Sequence, residues 1–111
     1  MKMNSETVGD MLVVYVDEPR IDAAGAIQFK ERMREVTTDA APRVVLDLSS
    51  VNFLDSSGLG AVVAVMKLLL PGRKLELAGL TPTVEKVFRL TRMDSVFKIH
   101  LTVPGALSDA V

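Results

Sequence analysis

Two adjacent hydroxyls, Ser56 and Ser57, stand between Asp55 and the stretch Gly58-Leu59-Gly60. The apolar run Val44-Val45-Leu46-Asp47-Leu48 precedes this group, and a second apolar run, from Ala61 to Leu70, follows it. The spacing therefore places an acid and two serines where a strand feeds a helix. A helix start offers unpaired backbone N–H groups and a partial positive charge, which suits an anionic group. A serine there is either an ordinary cap, contributing roughly 1 kcal/mol, or a point of attachment for a phosphate. Both hold together if one serine caps and the other stays exposed. Gly58 and Gly60 keep the first turn free of bulk, either for a partner's approach or for close packing of helix on strand.

Other chemistries find little support. A nucleophilic serine needs a base beside it, and the chain's one histidine, His100, stands far along the sequence at the end of a terminal strand. A nucleophile elbow needs glycine two residues before and two after the serine. Ser56 has Leu54 and Gly58 at those places, and Ser57 has Asp55 and Leu59. No Gly-Lys-Ser/Thr phosphate loop occurs. Gly58-Leu59-Gly60 matches the start of a dinucleotide fingerprint, but Val63 stands where its third glycine belongs. No His/Asp/Glu cluster has metal-ligand spacing. The expectation is a protein that is not an enzyme and holds no cofactor or metal.

Length and composition agree. The chain has 111 residues, enough for one domain, and 49% of them are hydrophobic, enough for a substantial core. A formal net charge of -1 argues against nucleic-acid binding, which needs a basic surface. There are no cysteines, so disulfides and thiolate chemistry are excluded. The longest apolar stretch, Leu59 to Leu70, contains Lys67, ends at Pro71-Gly72, and is too short to span a bilayer. No secretory leader is expected from Met1-Lys2-Met3, and the composition fits the cytoplasm.

The elements that must position the serines follow from periodicity. No internal repeat appears. Lys2 to Thr7 reads as a weak edge strand, with Met11 to Val16 as a firmer one. Asp22 is placed to cap a helix whose buried stripe is Ala26, Phe29, Met33 and Val36. Gly25 costs that helix about 1 kcal/mol relative to alanine. Thr37 to Pro42 is a loop. Val44 to Leu48 fits a central strand covered on both faces, with Asp47 accepting hydrogen bonds from the loop after it. Lys74 to Ala78 is a further strand. Thr81-Pro82 opens a helix, as cap and first helical residue, with Val84, Val87 and Phe88 inward. Val96 to Ile99 is expected as a short last strand, and the chain from about 104 as a helical turn or loose tail. This alternation implies an α/β layer architecture with parallel pairs in the sheet.

With these residues in view, the chain resembles the STAS domain family, and within it the free-standing anti-sigma-factor antagonists of bacteria. Arg20-Ile21-Asp22-Ala23 is similar to the family's segment before the first helix. Val44 to Gly60 is similar to its strand-to-helix signature. Leu75 to Pro82 and Val87-Phe88-Arg89-Leu90 follow in the family's order. Pro19 and Thr91-Arg92-Met93 depart from its glycine near the Asp22 segment and its Ser-Gly-Leu after the third helix.

The resemblance implies one STAS domain over residues 1–111, with a four- to five-stranded mixed sheet and helices packed mainly on one face. It implies an antagonist that captures an anti-sigma factor, itself a serine kinase, while Ser56 is unmodified, and releases it once Ser56 is phosphorylated. A PP2C-type phosphatase restores the capture. Asp22, Asp55, Ser56, Ser57, Gly58 and Leu59 are the expected partner-binding residues, with Ser57 as the helix cap. The chain is expected to be cytoplasmic, a monomer or weak dimer, and to bind neither nucleic acid nor membrane. The competing expectation is a STAS scaffold or transporter-associated subunit that uses the same surface without phosphorylation.

Overall fold

The computed structural model describes residues 1–38 and 41–105. Its main sheet has five strands in the spatial order β1-β2-β4-β6-β7: β1 (Met3–Val8), β2 (Met11–Val16), β4 (Arg43–Asp47), β6 (Lys74–Ala78) and β7 (Ile99–His100). The turn at Gly9, with φ of 59°, folds β1 antiparallel onto β2, and the remaining neighbours run parallel. Parallel neighbours need crossovers. These are the helices α1 (Ala23–Val36), α2 (Ser56–Leu69) and α3 (Pro82–Leu90). The mixed five-stranded sheet with helices over one face is the expected architecture.

Among the described residues, two further strands of two residues each pair with one another beside the main sheet's helices. They are β3 (Arg20–Ile21) and β5 (Phe53–Leu54), which pair parallel with Arg20 opposite Phe53 and Ile21 opposite Leu54. Periodicity does not reveal segments this short. They exist because Ile21 and Leu54 are buried and their backbones pair.

Period-2 alternation sorts the main sheet into two faces. Val14, Val16, Val44, Leu46, Leu75 and Leu77 meet Phe29 and Met33 of α1, Val62 and Val65 of α2, and Phe88 of α3 in the larger core. Phe88 meets Phe97 edge-on, with centroids 5.9 Å apart. On the opposite face Met11, Val13, Val45 and Ala78 pack with Val103, so β4 is covered on both sides as its apolar run requires. That face also buries Glu76. Arg43 holds it in a bidentate pair at 2.8 and 2.9 Å, and His100 approaches it through Nε2 at 2.7 Å.

Several boundaries differ from expectation. The helix α2 begins at Ser56, three residues before the apolar stretch Leu59 to Leu70. The last strand lies at Ile99–His100, because Met93–Ser95 forms a 3₁₀ turn that carries Val96 in a right-handed helical conformation. Thr81 does precede Pro82 at the start of α3, but its hydroxyl donates to the Val51 carbonyl at 2.7 Å and makes no cap bond. The expected tail from about 104 lies, beyond Gly105, outside the described residues.

Candidate functional site: the paired helix starts

The pairing of β3 with β5 puts Asp22 next to Asp55, since each aspartate directly follows its strand. Each is in extended conformation and caps the helix after it. Asp22 Oδ1 accepts from the Gly25 N–H at 3.1 Å, and Asp55 Oδ1 from the Gly58 N–H at 2.9 Å. Ser57 is therefore not the cap. It is the second residue of α2, and Ser56 is the first. An aspartate one residue before the helix reaches the third N–H of the first turn, whereas a hydroxyl already inside the helix points away from those donors.

Asp55 thus frees both serines. Ser56 and Ser57 are exposed, and neither hydroxyl has a side-chain partner among the described residues. Gly58 is buried against β3. A Cβ on it would lie 2.1 Å from the Ile21 carbonyl oxygen, so only glycine lets α2 start this close to β3. What Gly58 offers a partner is indirect: it sets the position of the serines. Gly60 has open space where a Cβ would go and is exposed, and Leu59 is half-buried.

The approach to the site is braced from the other side. Asp47 Oδ1 accepts from the Ser49 N–H at 2.8 Å and the Ser49 hydroxyl at 2.6 Å, as the placement of an acid in an apolar strand suggests. Asn52 and Phe53 donate their N–H groups to the Pro19 carbonyl, at 2.8 and 3.2 Å. The loop before Ser56 is thereby tied to the loop before Asp22.

Asp22, Asp55 and Arg20 border the serines, but the helix turns around them carry no charge. No charged residue occurs in α2 before Lys67, nor in α1 before Lys30. Two large apolar side chains stand out of this surface, Ile27 at 62% and Phe53 at 43% exposure. Arg20 stacks over the Phe53 ring, 5.5 Å from its centroid, with its other contact to Asp22 Oδ2 at 3.8 Å. Arg20, Ile27 and Phe53 are functional candidates that pattern reading passes over. Ile27 does fall outside the Ala26-Phe29-Met33 stripe, which is a usable signal. Phe53 gives none, because its exposure depends on the β3–β5 pairing.

The residues weighed for catalysis are not assembled. His100 is held by Glu76 on the far face of the sheet, and no group of three or more His, Asp or Glu side chains among the described residues is placed to bind a metal. No described helix is long and apolar enough to cross a membrane.

Comparison with known proteins agrees with the geometry. The family model described as STAS domain matches residues 2–106. BtrV of Bordetella bronchiseptica, which carries the name anti-sigma factor antagonist, is 29% identical over 100 residues, covering 89% of this chain and 85% of that protein. The crystal structure of an anti-sigma factor antagonist from Mycobacterium paratuberculosis superposes with a TM-score of 0.83 at 28% identity, over 97% of this chain and 92% of that one. A Thermotoga maritima protein described in the same terms gives 0.84 at 25% identity, over 96% of this chain and 92% of that one.

Proposed function

Since this chain belongs to the STAS domain family, we propose that it is an anti-sigma-factor antagonist switched by phosphorylation of Ser56. In the unmodified state the surface formed by Ser56, Ser57, Leu59, Gly60, Ile27 and Phe53, with Asp22 and Asp55 beneath, docks on an anti-sigma factor that is itself a serine kinase. Capture of that kinase frees its sigma factor for transcription in the cytoplasm. The observation that carries this reading is the exposure of an uncommitted hydroxyl on a partly apolar surface bordered by Arg20, Asp22 and Asp55.

In the switching step the Ser56 oxygen attacks the γ-phosphorus of ATP bound to the partner. An O–P bond forms, the bond to ADP breaks, and the serine proton passes to a base of the kinase. The chain is the substrate of that transfer and not its catalyst. The product carries about -1.5 to -2 charges at neutral pH. The N–H groups at the start of α2 tolerate that charge, because Asp55 occupies only the Gly58 donor. A partner packed over Ile27 and Phe53 does not, since the dianion must be stripped of water there beside Asp55, and the nearby cation, Arg20, is already engaged with Phe53 and Asp22. The fold stays and the complex separates. A PP2C-type phosphatase resets the switch by hydrolysing the ester.

The test is mass spectrometry of the chain after incubation with its anti-sigma kinase and ATP. The expected result is a single phosphate on Ser56, absent from Ser56→Ala. A phosphate found elsewhere, or none, contradicts the proposal.

A further inference from the structure

At the end of the molecule opposite Ser56, where β4 and β6 begin and α2 ends, the surface opens into a cleft of ≈ 760 Å³. The length of α2 puts it about 20 Å from the serine. Its floor is apolar: Met66 from α2, Leu70 just past its end, Leu75 from β6, and Val96 from the segment before β7. Leu70 and Val96 are 51% and 49% exposed, so the floor faces water. Beside it stand the ammonium groups of Lys74 and Lys98, both exposed and neither in an ion pair among the described residues. Among the described residues the one carboxylate lining the cleft, Glu76, is taken up by Arg43 and His100 and does not answer those charges. Exposed leucine and valine beside two lysines differ in kind from the surface at the serines, where Arg20 faces Asp22.

We propose that this cleft binds a small anionic amphiphile, a carboxylate- or phosphate-headed molecule with an apolar body. The body covers Leu70 and Val96, and the head sits between Lys74 and Lys98. The volume falls within the range of about 300–1,000 Å³ typical of single-ligand sites. Charge complementarity selects the sign of the head, since among the described residues Lys74 and Lys98 are the charges left unneutralised there. The site is separate from the serine surface, so its failure leaves the phosphorylation proposal standing.

The probe is decanoate below its critical micelle concentration, titrated into ¹⁵N-labelled protein and followed by amide chemical shifts. Saturable changes are expected at Leu70, Gly72, Leu75, Val96 and Lys98, with Gly58 and Gly60 unmoved. The double variant Lys74→Gln/Lys98→Gln should bind about three- to ten-fold more weakly. Leu70→Asn should weaken binding independently of charge. Decyltrimethylammonium, with the same chain and the opposite head, should not saturate. Equal binding of both detergents, an unaffected double variant, or shifts that never saturate overturn the proposal. So does binding confined to vesicles containing phosphatidylglycerol, because that identifies a membrane surface and not a ligand cleft.

Discussion

The two helix starts that meet beneath Ser56 are built on one frame. Ile21-Asp22-Ala23-Ala24-Gly25 leads out of β3, and Leu54-Asp55-Ser56-Ser57-Gly58 leads out of β5. In both, a buried aliphatic residue ends the strand, an aspartate caps, and the aspartate oxygen takes the N–H of a glycine three residues on. The first unit does this with alanines where the second has serines. The hydroxyls of Ser56 and Ser57 are therefore not what starts a helix here, and they are free for another purpose. The glycines differ as well. A Cβ at Gly58 would strike backbone at 2.1 Å, whereas at Gly25 it would come no closer than 3.2 Å to the flexible end of Met1.

That contrast can be broken in order of expected effect. Gly58→Ala should cost on the order of 3 kcal/mol, since helix and strand must separate to admit the methyl, whereas Gly25→Ala should be neutral or stabilise by up to about 1 kcal/mol through helix propensity. Denaturant unfolding measures both, and similar values at the two glycines remove the distinction. Next come the caps. Asp55→Ala and Asp22→Ala should each cost about 1 kcal/mol, and equality between them checks that the two frames do the same mechanical work. Smallest are Ser56→Ala and Ser57→Ala, expected within about 0.5 kcal/mol of the parent. A loss near 1 kcal/mol at Ser57 would return that residue to a capping role.

Acid unfolding sets these backbone-bound caps against a carboxylate held by side chains. The Arg43 guanidinium, helped by His100, holds Glu76 down to about 2, against the opposing effect of burial. A depressed carboxylate stabilises the fold above its unfolded value and loses that contribution as pH falls through its folded one. The window here runs from a little above pH 4 down to about 2. Glu76→Gln should flatten that limb of a plot of Tm against pH. An unchanged slope would place the acid sensitivity elsewhere.

Much of this was legible in the chain, for reasons that can be named. Met11–Val16 is rich in β-branched and aromatic residues, Lys74–Ala78 alternates Leu75 and Leu77 with charged residues, and Asp22 stands before a clean helical stripe. The serine group was legible because two hydroxyls, an acid and glycines stand together at a change of period. The cap was not, since serine and aspartate are about equally good caps and only the true start of α2 decides between them. The repeated frame is five residues long, too short to register as a repeat, and its meaning comes from the pairing of two-residue strands. His100 shows the same limit. Its neighbour Glu76 is 24 positions away in sequence, and their contact needs β6 and β7 side by side.

The central claim is that charge on one oxygen, with no change of fold, ends the capture of a partner. Its most direct test is the equilibrium affinity of the anti-sigma kinase for the unmodified chain and for the chain phosphorylated at Ser56, with Tm measured on both. The account predicts a loss of about 100-fold, equivalent to a few kcal/mol, at an unchanged Tm. Equal affinities, or a loss that appears only together with a fall in Tm, would contradict it.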